Sequence, residues 1–245
     1  RYVDTSHNPM HQKGTSGGGD DRDVGYGMLR QGGEQEWAPY DLGQVLLNLL
    51  LAVFFEWGVA LHDLETEKLL AGEKTWKESV PFLKGVLKKV KKQTLKDYVL
   101  FPLLAGPFFL PVLTGNFSAN IIRNLWTYMI IFCGNFPEGV THFTPKDVEN
   151  EDQSRWYIRQ LLGSANIRGG KLMHLMSGNL SFQIEHHLFP GMPSNRYAEA
   201  SAEVEEICQK YGLPYNAHGL GRQFGTTLAR IFRLTLPNRR DTVTA

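Results

Sequence analysis

The run "QIEHH", Gln183–His187, sets two adjacent histidines three and four residues after a glutamine, with a glutamate between them. On a helix, positions i+3 and i+4 share a face with position i, so Gln183, His186 and His187 converge on one side. Consecutive helical residues point about 100° apart, which lets the two imidazoles address two separate atoms. That geometry suits a pair of metals better than one; the alternative is a helix that happens to carry two surface histidines. A second group, "HNPMHQ" from His7 to Gln12, also has ligand spacing. The remaining histidines are His62, His142, His174 and His218. All-imidazole sites suit iron, zinc or copper, and open positions on iron allow oxygen activation. HExxH is absent, so the usual zinc-protease helix is not available. His62 ends an apolar stretch and His218 stands beside Gly219, and both read as interfacial or surface histidines. His174 lies about three turns before the pair on the same expected helical run, outside the ligand set.

The chain that must position these groups has 245 residues, 42% of them hydrophobic, with a formal net charge of +1. That suffices for one sizeable domain or one small membrane bundle. Near-neutral charge argues against a nucleic-acid binder. The two cysteines, Cys133 and Cys208, are far apart and build neither a disulfide framework nor a Cys-rich zinc site, which suits a reducing, intracellular setting. The sequence opens on Arg1, and Arg1–Asn8 is no signal peptide, so the chain is expected to be the remainder of something longer.

Three apolar stretches stand out. Leu42–Leu61 is interrupted by Gln44, Asn48 and Glu56, whereas Tyr98–Ile122 carries no charge, and Asn124–Gly134 follows after Arg123. A span needs about 20 apolar residues, with Pro and Gly tolerated. Tyr98–Thr114 and Phe117–Gly134 therefore read as two membrane spans joined by a tight turn at Gly115-Asn116; one buried soluble hairpin is the alternative. Lys84, Lys88, Lys89, Lys91, Lys92 and Lys96 precede them, as on a cytoplasmic side. Phe82, Val86, Leu87 and Val90 recur there at helical spacing, as in a helix on an anionic leaflet or a solvated charged helix. "KGTSGGGDD" (Lys13–Asp21) reads as a linker. Towards the C-terminus, Tyr197, Ala200, Val204, Ile207 and Tyr211 mark a helix stopped by Gly212 and Pro214. Leu220–Leu236 is a second amphipathic candidate with Arg222, Arg230 and Arg233 on its polar side. Few segments alternate like strands, so the expected class is all-α.

"QIEHHLFP" followed by "MPSNRYAE" resembles the third histidine box of the membrane fatty acid desaturases. "GQVLLNLLLAVFFEWGVALHDLE" (Gly43–Glu65), "CGNFPEGV" (Cys133–Val140) and "RWYIRQLLGSAN" (Arg155–Asn166) look like the actinobacterial acyl-CoA and linoleoyl-CoA-type members. The resemblance implies a non-haem enzyme with two iron ions that uses O2 and two electrons to place a cis double bond in an acyl chain, with acyl-CoA the expected substrate. A ferredoxin or flavin reductase is the expected electron donor, since no HPGG segment of a fused cytochrome b5 domain occurs. It also implies an integral membrane protein, a helical bundle in a lipid membrane with a cytoplasmic helical metal-binding cap. Residues 1–240 would form the C-terminal two thirds of that domain, without the first histidine box and first transmembrane hairpin. Residues 42–62 would be an interfacial or partly inserted helix, and 241–245 a tail. The implied ligands are His7, His11, Gln183, His186 and His187, with Asn135 and His142 as further donors. Asn135 stands where many relatives have a histidine, and Gln12 where the second box normally ends in one. Glu185, Asp21, Asp23 and Gln12 would hold ligand imidazoles by hydrogen bonds from behind. A related di-iron hydroxylase or ketolase, or an inactive remnant that keeps the fold, are the alternatives.

Overall fold

The computed structural model describes residues 29–30, 32–33, 35, 37–62, 64, 75–143 and 145–237. Its elements are, in order, α1 (Gln44–Val53), α2 (Phe55–His62), α3 (Trp76–Leu95), α4 (Phe101–Leu104), α5 (Phe109–Asn135), α6 (Pro145–Val148), α7 (Gln153–Leu162), β1 (Asn166–Arg168), α8 (Lys171–Met176), α9 (Gln183–Leu188), α10 (Tyr197–Tyr211), β2 (Ala217–Gly219) and α11 (Leu220–Leu234). The all-α expectation holds, with one addition. β1 and β2 pair in parallel, Asn166 opposite Ala217 and Arg168 opposite Gly219.

Two compact units form. Leu49–Tyr128 makes one, and the described residues up to Asn48 and from Met129 make the other. In the first unit α3 starts at Thr75, whose hydroxyl accepts from the Glu78 amide while Glu78 returns a bond to the Thr75 amide. This reciprocal cap satisfies two of the donors a helix start leaves open. Glu56 gathers Lys89 at 2.9 Å, Gln93 at 3.3 Å and the Arg123 guanidinium. Asn116 donates to the Asp97 carbonyl at 2.6 Å, Asn120 to the Tyr98 hydroxyl at 2.9 Å and Asn124 to the Val53 carbonyl at 2.9 Å. Leu103, Leu104, Phe108, Leu110, Phe117 and Ile122 are exposed.

These elements overturn the membrane expectation. Among the described residues no helix is long and apolar enough to cross a membrane. Tyr98–Thr114 is not one rod. A wide π-type turn occupies Lys96–Leu100, and the chain breaks again at Gly106–Phe108, where Gly106 takes φ +53°. The expected turn at Gly115-Asn116 does not form, because α5 runs straight through it. With its helix continuous, Asn116 spends its amide on Asp97 instead of on a turn, and Asn120, Arg123 and Asn124 dilute the apolar content of the same helix. The integral membrane bundle and its membrane-embedded, cytoplasm-facing topology lose their basis together.

The second unit packs Leu161 of α7, Ile184 and Leu188 of α9, and Val204 and Cys208 of α10 into one cluster, with Phe189, Leu213 and Tyr215 against it. Asp152 caps α7 by accepting from the Arg155 amide at 2.8 Å, and buried Arg159 makes a two-pronged pair with Glu151 at 2.7 Å on each prong. α10 ends as its sequence predicts, on Gly212 at φ +65°. At the start of α1, Gln44 is buried; its Oε1 accepts from the Arg30 amide at 2.6 Å and its Nε2 donates to the Ile231 carbonyl at 3.0 Å. That is where the first polar residue of the Leu42–Leu61 stretch goes.

Candidate functional site

The histidine pair sits on α9, a helix of six residues. Isolated helices this short are unstable in water, so its neighbours must hold it. Asn166 of β1 does most of this. Its Oδ1 accepts from the Ile184 amide at 2.9 Å, while its Nδ2 donates to Glu185 Oε2 at 2.8 Å and to the Tyr215 hydroxyl at 2.7 Å. Tyr215 in turn donates its only O–H to Glu185 Oε1 at 2.9 Å, and the hydroxyls of Tyr215 and Ser201 lie 2.8 Å apart. Glu185 is fully buried, and burial pushes its carboxyl above the usual range against the pull of Asn166 and Tyr215. Burial and the facing Glu185 raise the Tyr215 hydroxyl too.

Glu185 is expected to hold a ligand imidazole; among the described residues its carboxyl instead bonds Asn166 and Tyr215, and the helix explains why. Two residues advance about 200° around the axis, so Glu185 faces away from Gln183 and towards the protein. Gln183 and His187, four residues apart, do share a face, with Gln183 Nε2 and His187 Nε2 at 3.0 Å. An amide nitrogen only donates, so this ring nitrogen accepts. His186 Nδ1 lies 3.1 Å from the Tyr197 hydroxyl, and the two imidazole centroids are 5.6 Å apart. Gly134 presses on Gln183; a Cβ there would stand 2.8 Å from Gln183 Cγ. The Gly134 carbonyl accepts from the Ala165 amide at 2.8 Å, which ties the end of α5 to the segment before β1.

The other expected donors fall elsewhere. Asn135 is buried beside Gly134, but its Nδ2 donates to the Ile131 carbonyl at 3.0 Å, back into its own helix. His142 stacks obliquely on Phe136 at 6.2 Å, and burial, with the Arg230 charge, pulls its pKa down to about 3. The neutral ring is the form that ligates a metal, but the neighbouring guanidinium charge opposes a cation there. His174 is not on the same helix as the pair; it lies on α8, stacked on Phe182 at 4.4 Å with Nδ1 2.7 Å from Ser181 Oγ. His218 is in β2. His7, His11, Gln12, Asp21 and Asp23 lie outside the described residues.

Among the described residues no group of three or more His, Cys, Asp or Glu side chains could hold a metal ion. The described donors thus do not by themselves complete a set for two irons: Gln183 bonds His187, Asn135 bonds its own helix, and Arg230 stands by His142. The metal-binding cap expected from the sequence is corrected accordingly. Two residues of the site were missed, Asn166 and Tyr215, which carry no spacing signal. On α7, Gln160 is fully buried with neither amide atom bonded among the described residues.

The chain belongs to the fatty acid desaturase family, whose model matches residues 4–219. It is 44% identical over 238 residues to the NADPH-dependent stearoyl-CoA 9-desaturase of Mycobacterium tuberculosis, a match covering 96% of this chain and 56% of that protein. Fatty acid desaturase 3 of Homo sapiens is 37% identical over 89 residues, 36% of this chain and 19% of the relative. Delta(8)-fatty-acid desaturase of Euglena gracilis is 30% identical over 127 residues, 50% and 27% respectively. The chain thus spans about half the length of the mycobacterial relative. No solved structure matches it.

Proposed function

We propose that the protein is a fatty acyl desaturase that introduces a cis double bond into a long-chain acyl-CoA, with O2 and two electrons from a ferredoxin or flavin reductase. The observation that supports this reading best is the family match, which takes in the Gln183–His187 helix and the residues that brace it. The name of the mycobacterial relative makes stearoyl-CoA the first substrate to try and an NADPH-linked reductase the first donor. Removing hydrogen from an unactivated methylene needs a strong oxidant, which no side-chain base supplies, so the reading includes two iron ions. His186 and His187 are the described donors it uses, and His7 and His11 are proposed to complete the set. Asn135 and Gln183 could join through their amide oxygens, since their present bonds use the amide nitrogens.

The test supplies stearoyl-CoA, O2, NADPH and reductase to the protein and identifies the products by mass spectrometry. A mono-unsaturated acyl product is expected, and His186→Ala or His187→Ala should abolish it. A hydroxylated or oxidised acyl chain as main product, or full desaturation by His187→Ala, would sink the reading.

A further inference from the structure

Two adjoining hollows, of about 380 and 390 Å³, lie along α11 and share Glu138, Gly139 and Thr226 in their walls. Arg230 and Arg233 line the first, and Arg222 with His218 the second. Arg222, Thr226, Arg230 and Arg233 follow one another at intervals of four, four and three residues, so they occupy one face of the helix. From Arg222 to Arg233 that face runs roughly 16 Å along the axis at ~1.5 Å per residue.

The opposite wall, residues 137–140, is fixed by hydrogen bonds. Arg230 Nη1 donates to the Pro137 and Val140 carbonyls at 3.3 and 3.1 Å, and Asn216 Nδ2 donates to the Glu138 carbonyl at 2.9 Å. Gly139 takes φ +87°, and a Cβ there would approach Asn216 Nδ2 to 3.1 Å. Both the left-handed backbone and the close approach require glycine. The groove is therefore built before any ligand arrives. Its charge is lopsided, three guanidinium groups against the single carboxylate of Glu138. Arg222 and Arg233 are exposed, and neither makes an ion pair among the described residues.

We propose that this groove is a binding site for a nucleotide carrying a diphosphate. Planar guanidinium forks bind phosphate oxygens in pairs, and hollows of this size suit small molecules. The arginine row is too long for one phosphate, and His218 beside Arg222 gives the second hollow an imidazole for a ribose or base. Tyr215 also joins the groove to the histidine helix, since its hydroxyl donates to Glu185, the residue before His186. If the desaturase reading above holds, the nucleotide end of the acyl carrier is the natural source, and a free nucleotide is the other; the binding site itself does not depend on that reading.

Calorimetric titration of the full chain with ADP, adenosine and pyrophosphate tests it without any turnover. ADP should bind at least about tenfold tighter than adenosine or pyrophosphate, and Arg222→Gln/Arg233→Gln should weaken ADP binding by about tenfold. Glu138→Gln should strengthen it. Coenzyme A binding as well as ADP, and competing with it, assigns the site to the acyl carrier; ADP binding that coenzyme A cannot displace assigns it to a free nucleotide. Both substituted arginines are exposed and Arg230 keeps its wall, so the variant should melt like the parent. ADP binding no better than adenosine or pyrophosphate, or an affinity unchanged within twofold in the double variant, would overturn the proposal.

Discussion

Replacing Tyr215 by phenylalanine removes one oxygen and leaves the ring that packs on the Leu161–Ile184 cluster in place. That oxygen contacts Glu185, Asn166 and Ser201 at 2.9, 2.7 and 2.8 Å. Asn166 retains its bond to Glu185 Oε2, but Oε1 of a fully buried carboxyl loses its donor. Hydrogen bonds to charged groups contribute about 1.5–3 kcal/mol, and a buried group left unsatisfied costs a similar amount. Tyr215→Phe should therefore destabilise the protein by about 2–4 kcal/mol near neutral pH. At ~2–4 °C per kcal/mol for a chain of this size, the melting temperature should fall by about 4–16 °C. The pH dependence has a definite sign. Glu185 has its pKa raised by burial, so the fold binds that proton more tightly than the unfolded chain does, and stability lost on ionisation returns as pH falls towards 4.5. Losing the Tyr215 donor penalises the ionised form, so the gap between variant and parent should narrow on acidification. Urea unfolding of parent, Tyr215→Phe, Glu185→Gln and the double variant gives the coupling between the two residues. A loss under about 0.5 kcal/mol at neutral pH, or no coupling, would refute the view that this network anchors α9.

Gly134→Ala should cost about 1–3 kcal/mol by overpacking, because its Cβ would meet Gln183 Cγ at 2.8 Å; the imidazole NMR signals of His187 should shift as Gln183 is displaced. His142 has a pKa near 3 in the fold against 6.5 when unfolded, so the unfolded chain takes the proton first and stability falls as pH drops through that window. His142→Phe should remove about 2 kcal/mol of the loss between neutral pH and pH ~5, read from urea midpoints. Gln160→Leu should be neutral or stabilising by about 1–2 kcal/mol, since neither amide atom has a partner among the described residues; a loss above about 1 kcal/mol in thermal melts would reveal one.

What could be read from the sequence followed local periodicity. Gly212 ends α10, α11 forms with its arginines on the polar face, and Gln183 meets His187 because four residues bring a helix back to the same side. Hydropathy misled where it was summed over long windows. The breaks at Lys96–Leu100 and Gly106–Phe108 and the unbroken run of α5 through Gly115-Asn116 depend on partners such as Asp97, Tyr98 and Val53, which a window average does not see. The Asn166–Glu185–Tyr215 network was illegible for a related reason. It exists because a three-residue ladder brings residue 166 opposite residue 217, and nothing in either segment advertises that pairing.

The glutamate inside the histidine run gains its meaning from that ladder. On six residues of helix the backbone alone does not fix the direction of the two imidazoles. Three side-chain anchors do so from three directions. Asn166 holds the first turn through the Ile184 amide, Glu185 pins the protein-facing side to Asn166 and Tyr215, and Tyr197 meets His186 from α10. The order Gln-Ile-Glu-His-His then divides its work by angle, with Ile184 in the apolar cluster, Glu185 on the polar anchor, and Gln183 with His187 on the remaining face. A change of one residue in this spacing would turn the anchor towards the imidazole side and bury a carboxylate without donors. The geometry of the pair is in this sense held by Asn166, Tyr197 and Tyr215.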